Sequence, residues 1–242
     1  MAAYGNRWRN NWRKSSRCIA WICRGTDLAG REKGNGGAEV LPFPLDSVID
    51  ELSTKFGDPL TVCGWSLGGI IAQRWAMREP EKIQRLVLVA STPCFSNRPD
   101  WDCGMPQQTL DQFAAELEKN FAATLRRFLA LQVRGSEHER ELLQQLREQL
   151  FSRGEPDVDA LRGGLAILHD ADLRAALPEI KQPTLLIAGE RDKLTPPEAS
   201  QYMAQQLPHA RMVEIEGAAH APFLSHPQVV IEHMKSFLHE QI

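Results

Sequence analysis

The chain has 242 residues, enough for one globular domain or for a core carrying a large insertion. With 43% hydrophobic residues and a net charge of −3 it has an ordinary soluble composition, without the charge bias of a nucleic-acid or anionic-membrane binder. No apolar run reaches the roughly 20 residues of a membrane span. The five cysteines, at 18, 23, 63, 94 and 103, form neither C-x-x-C nor a Cys/His ligand array, so reduced thiols in a cytoplasm are expected.

Residues 1–33 hold eight Lys/Arg against two acids, and three of the six Trp (Trp8, Trp12, Trp21). That composition fits a transit peptide or a basic arm stacking on nucleic acid. Its apolar residues keep neither a period of 2 nor one of 3.6, however, and the rest of the chain offers no basic groove. Residues 1–39 are therefore set apart as an aberrant, disordered segment. "GNGG" at 34–37 reads as a linker, since no helix with G-K-S/T follows it.

From Leu45 the pattern is regular. "LDSVIDELSTKFG" puts Leu45, Val48, Ile49, Leu52 and Phe56 on one helical face before Gly57. "PLTVCGW" predicts a short buried strand, "GGIIAQRWAMREP" a helix halted by Pro80, and "IQRLVLVAS" a second, strongly apolar strand. Strand, helix and strand in this span make a βαβ unit, hence a parallel sheet covered by helices. From about Pro93 to Leu168 only helical patterns follow: "QTLDQFAAELEKNFAATLRRFLALQ", "SEHERELLQQLREQLFSRG" and "DVDALRGGLAIL". The strand "PTLLIAGERD", the helix "PPEASQYMAQQLP", the strand "ARMVEIEG" and the last helix "PQVVIEHMKSFLHEQI" then resume the sheet architecture. The expected organisation is an α/β core from 40–92 and 169–242 with a helical cap, 93–168, at the carboxyl end of a strand. Ligand sites of α/β sheets lie at that end.

"GWSLG", residues 64–68, is a G-x-S-x-G motif with a strand before it and a helix after it. Small flanking residues let the backbone turn sharply and lift the Ser66 hydroxyl above the sheet edge, the nucleophile elbow. The helix start provides backbone N–H groups for an oxyanion, and the Leu67 N–H is one donor. A serine hydroxyl needs a base and an orienting acid, here in the order Ser, acid, His. His220 in "EGAAHAPFLSHP" follows a strand and is the candidate base, with His226 as fallback and His209 as a solvated turn residue. Asp192 ends "TLLIAGERD" and is the candidate acid; Glu190 is the runner-up, while Asp170 and Asp172 read as helix caps. In the triad template Ser66 attacks an ester carbonyl, His220 carries its proton to the leaving alcohol, and Asp192 fixes the imidazole tautomer.

These motifs resemble the α/β-hydrolase family, and within it the esterases that act on the methyl ester of pimeloyl-acyl carrier protein in biotin synthesis. The likeness rests on "GWSLGG" at the elbow, "STPCFS" with "DW" shortly beyond, "RFLALQ" in the cap, and "AAHAPFLSHP" at the histidine, and it spans 40–242. It implies an α/β-hydrolase fold: a mostly parallel sheet with helices on both faces and an inserted helical cap. It also implies a monomer that hydrolyses the methyl ester of pimeloyl-acyl carrier protein without cofactor or metal. By position, Phe128, Leu129, Ala130, Leu131 and Gln132 would line an acyl channel beside Ser66 and Leu67. Arg126, Arg127 and Arg140 would face the acidic carrier protein. The same stretch also reads as an ordinary amphipathic helix with solvated arginines.

The family's opening strands and its H-G-W-G loop, which supplies the second oxyanion donor, have no match in residues 1–39. The N-terminal strands are thus expected to be missing or out of frame. Reading residues 2–27 one frame over, with permitted codon choices, gives a string containing D-L-P-G-x-G, in keeping with an out-of-frame translation of residues 1 to about 35. Two alternatives accompany the esterase reading. One is another α/β-hydrolase, such as a lactonase, a C–C bond hydrolase or a broad short-chain carboxylesterase. The other is a catalytically impaired, truncated homologue that only binds.

Overall fold

In the computed structural model, which describes residues 18–21, 45–56, 59–151 and 158–240, five strands lie side by side in chain order and all run parallel. They are β1 (Cys18–Trp21), β2 (Leu60–Trp65), β3 (Ile83–Val89), β4 (Thr184–Gly189) and β5 (Ala210–Ile215). Parallel neighbours need crossovers, and the helices α1 (Leu45–Lys55), α2 (Leu67–Arg78), α7 (Pro197–Gln206) and α9 (Pro227–His239) flank the sheet. A four-residue helix, α8 (Pro222–Ser225), which the sequence pattern does not announce, precedes α9.

Both faces of the sheet are covered, so the central strands read as unbroken apolar runs rather than as an alternation. In β3 and β4 the alternating side chains nevertheless sort to opposite faces. Leu86, Leu88 and Leu186 join Val48, Ile49 and Leu52 of α1 and Ile70, Ile71 and Trp75 of α2 in one cluster. Val87, Val89, Leu185 and Ile187 meet Val230, Met234 and Phe237 of α9 in the other.

Between β3 and β4 come four inserted helices: α3 (Gln107–Lys119), α4 (Phe121–Val133), α5 (Glu139–Phe151) and α6 (Val158–Asp170). Two expectations are corrected here. Residues 93–106 are not helical but form a loop with Ser96–Met105 and Arg98–Trp101 bridges, and Pro93, Pro99 and Pro106 break any helix there. The single long pattern from Gln108 to Gln132 is two helices parted at Asn120, whose side chain accepts from Ala123 N at 3.2 Å and caps α4.

The stems of the insertion lie together. Leu173 N donates to Pro93 O at 2.9 Å, and Cys94 pairs with Asp172. Arg174 reaches Asp172 at 2.7 Å and Asp100 at 3.0 Å while stacking over Trp101 at 5.4 Å.

Of residues 1–39, only Cys18–Trp21 are described, and they form a strand in register with Thr61–Gly64. That corrects the expectation of a segment without regular elements at those four positions. Strand residues so few show no periodicity to read. The rest of the segment, with the out-of-frame reading, lies outside the described residues. Among the described residues, no helix is long and apolar enough to cross a membrane.

Candidate active site

Ser66 sits between β2 and α2 with φ 54° and ψ −121°, a conformation an L-residue adopts only under constraint. The constraint is contact. A Cβ at Gly64 would lie 2.4 Å from the Gly68 carbonyl oxygen, so the turn closes only with glycine there. Ser66 N donates to Val89 O at 3.0 Å, which pins the elbow to the end of β3. The Leu67 N–H opens α2, where backbone donors have no partner within the helix.

Asp192 lies on the turn after β4. Its Oδ1 accepts from Leu194 N at 2.8 Å and Thr195 N at 3.0 Å. Its Oδ2 accepts from the Thr195 hydroxyl at 2.7 Å and meets His220 Nδ1 at 2.8 Å. A carboxylate facing Nδ1 puts the ring proton there and leaves Nε2 as acceptor. His220 Nε2 is buried without a hydrogen-bond partner, an atom poised to receive a proton. Both side chains are closed off, with the His220 and Asp192 residues each 1% exposed.

Burial alone would push the Asp192 carboxyl up. The charge and hydrogen bond of His220, with the Thr195 N–H and hydroxyl, outweigh it and hold the group below the ordinary carboxylate range. The orienting acid therefore stays ionised beside the imidazole.

Trp65, the neighbour of Ser66, joins the elbow to the histidine loop. Its Nε1 donates to His220 O at 2.7 Å, and its ring lies 5.6 Å from the imidazole and 5.0 Å from Phe223 of α8. The inserted helices close over the same place. Leu224 of α8 packs with Val133, Leu142, Leu143 and Leu146 of α4 and α5. Gly164 of α6 comes so near Leu67 that a Cβ there would stand 3.1 Å from Leu67 Cδ2.

The other sequence candidates fall elsewhere. Glu190 accepts from Gly217 N at 2.8 Å and ties a turn instead of facing His220. His226 is at the N-cap of α9 with Nδ1 on Ser225 Oγ at 2.9 Å, and His209 is exposed in the turn before β5. Neither Asp170 nor Asp172 is a helix N-cap: Asp170 is the last residue of α6, and Asp172, which accepts from Arg174 N at 3.2 Å, precedes a short helix whose N-cap is Leu173.

On α4, Leu129 and Gln132 are buried, and Phe128 is half-buried against Phe113 at 5.4 Å. Leu131 is 36% exposed on the solvent side, because five consecutive helical residues cannot share one face. Arg126 and Arg140 are exposed, while Arg127 pairs with Glu116 at 2.6 Å. A groove of about 300 Å³ between α3 and α6, floored by Leu110, Ala114, Leu117 and Leu165, contains no triad candidate.

Sequence reasoning missed Thr195, although a hydroxyl three residues after a candidate acid is a signal for local carboxylate bonding. It also gave Trp65 no role beyond its place in the motif.

Residues 45–227 match the family model described as alpha/beta hydrolase fold. The chain belongs to the α/β-hydrolase family. Within that family it is similar to the pimeloyl-[acyl-carrier protein] methyl ester esterase of Nitrosomonas europaea, at 47% identity over 76% of this chain and 73% of that protein. The enzyme of the same name from Nitrosospira multiformis is 42% identical over 87% of this chain and 82% of its own length. Among solved structures, the bromoperoxidase from Bacillus anthracis superposes with a TM-score of 0.76 at 18% identity, covering 86% of this chain and 78% of that one. An esterase from Exiguobacterium antarcticum gives 0.74 at 22% identity, over 86% and 78% of the two chains. At these identities the structural likeness speaks for the fold.

Proposed function

We propose that this chain is a serine carboxylesterase that hydrolyses the methyl ester of pimeloyl-acyl carrier protein, the step that frees the terminal carboxylate for biotin synthesis. One observation carries the chemistry: a buried Asp192–His220 pair with Nε2 unpartnered is tied, through the Trp65 Nε1–His220 O bond, to the turn that holds Ser66 at φ 54°. The choice of substrate rests on the relatives that are 40–47% identical and carry that name.

Ser66 Oγ attacks the ester carbonyl as His220 Nε2 takes its proton, and the Leu67 N–H donates to the oxyanion. His220 then protonates the departing methoxide, so methanol leaves an acyl-enzyme. Water, deprotonated by the same imidazole, releases the free acid and restores Ser66. Asp192 holds the ring and stabilises the imidazolium at both steps.

The inserted helices cap the site. Phe128, Leu129 and Gln132, on the inward side of α4, supply the acyl-contacting surface, and Arg126, Arg127 and Arg140 attract the acidic carrier in the cytoplasm, the enzyme acting as a monomer. Such attraction is screened within about 10 Å at 0.1 M salt. Raising salt should therefore lower kcat/KM for the carrier-bound ester and leave that for a small neutral ester unchanged.

The test is hydrolysis of methyl pimeloyl-carrier protein, read as loss of the methyl group in the carrier's mass, with Ser66→Ala as control. Turnover abolished in the control supports the reading. An inert chain whose Ser66 still reacts with a phosphonate refutes the substrate and leaves another ester hydrolase.

A further inference from the structure

Ser66 belongs to two peptide units, and the end of β3 with the loop that follows it holds both. On its N-terminal side the Ser66 N–H donates to Val89 O at 3.0 Å. On its C-terminal side the Ser66 carbonyl accepts from the Ser91 hydroxyl at 2.9 Å, in addition to Gly69 N at 2.9 Å. That carbonyl and the Leu67 N–H are opposite ends of the same planar, trans unit, so whatever fixes one aims the other.

Ser91 is placed for this with little freedom. It is 1% exposed, and its side chain fills the space beside Gly69, where a Cβ would fall 2.2 Å from Ser91 Oγ. The preceding residue, Ala90, has φ 44° and donates to Ile187 O at 2.7 Å, so the loop is anchored to β4. Gln73 Nε2 bonds Thr92 O at 3.2 Å and ties the far side of the loop to α2. The hydroxyl thus points at the Ser66 carbonyl from a fixed platform.

We propose that Ser91 is a positioning residue for the oxyanion hole, acting through the Ser66–Leu67 peptide; this rests on the reading of Leu67 N–H as an oxyanion donor. Two effects follow from the bond. It stops the peptide from rocking, which keeps the N–H aimed where charge develops and avoids reorganisation during the reaction. It also draws electron density from the amide, and hydrogen bonds chained through one amide strengthen one another. Both act on the transition state and leave substrate binding alone.

The experiment compares Ser91→Ala and Ser91→Cys with the unaltered chain, using p-nitrophenyl acetate and a fluorophosphonate that labels Ser66. Ser96→Ala serves as a structural control, because Ser96 is buried and bonds Leu168 O at 3.3 Å, away from the elbow.

Ser91→Ala is expected to lower kcat and the labelling rate constant about tenfold. That is less than the ~10²–10³ of removing an oxyanion donor outright. KM and the final labelled fraction should stay unchanged, and Ser91→Cys, a weaker donor, should fall between. A purely structural role moves the labelled fraction and Tm, as Ser96→Ala does, and leaves the rate constant per labelled site alone; that result overturns the proposal. Labelling of Ser91→Ala at the unaltered rate does the same while the esterase reading stands. Failure of the unaltered chain to label overturns both.

Discussion

Gly189 ends β4 at the point where the acid turn and the histidine loop touch. A Cβ there would lie 2.2 Å from Ala219 O and 2.7 Å from Ala218 O, against the 3.0 Å below which such contacts do not occur. Both obstacles are backbone, and they immediately precede His220. Gly189→Ala therefore forces the histidine loop and the Asp192 turn apart by roughly 0.8 Å, the shortfall set by these contacts. The loop cannot yield elsewhere without cost, because Arg191 N is bonded to Ala218 O at 2.8 Å and Trp65 Nε1 to His220 O at 2.7 Å. A misplacement near 1 Å costs about 10²-fold in rate, and overpacking of this kind about 1–3 kcal/mol in stability. The assay is kcat/KM on p-nitrophenyl acetate, with the fluorophosphonate-labelled fraction counting folded sites. A fall of about 100-fold per folded site is expected, with KM little changed. Activity within threefold of the unaltered chain, at unchanged Tm, would show that Gly189 does not set the Asp192–His220 spacing.

Ser66→Gly should abolish turnover and yet stabilise the fold by about 1 kcal/mol, since glycine relieves the backbone strain at φ 54°; calorimetry should show a Tm rise of about 2–4 °C. Thr195→Val keeps the shape and removes a hydrogen bond to a charged acceptor, which should cost about 1.5–3 kcal/mol in urea unfolding at pH 7 and lower kcat about tenfold. The folded-state pKa of Asp192 is depressed, so its contribution is present above the unfolded value of 3.8 and is lost as pH falls through the lower folded value. The stability gap between Thr195→Val and the unaltered chain should accordingly close in acid, and a gap that widens there refutes the assignment. Arg174→Met should cost about 1–2 kcal/mol through the Asp172 pair and the Trp101 stacking, with catalysis per folded site unaffected.

How far the sequence reached can be traced residue by residue. The positions of Ser66, Asp192 and His220 in the turns and loops that follow β2, β4 and β5 were legible, because periodicity and turn chemistry change together there; the roles proposed for them come from the motif order. The split at Asn120 was not legible, since both helices continue one amphipathic stripe and only the cap breaks it. Residues 93–106 read as helix because a loop closed by isolated bridges leaves no period of its own. The bonds from Thr195 to Asp192 and from Ser91 to Ser66 depend on which way a buried hydroxyl turns, and that is decided by surroundings distant in the chain. Cys18–Trp21 pairs with β2 on four residues, too few for alternation to register.

The neck of the insertion has a consequence for how such chains diversify. Between β3 and β4 the inserted segment departs after Pro93 and rejoins at Leu173, residues joined by one hydrogen bond, so the excursion begins and ends at the same spot. An excursion with abutting ends can be lengthened, shortened or exchanged without rerouting the strands beneath it. Side chains on the interchangeable module can then drift while the strands and turns beneath it keep their places.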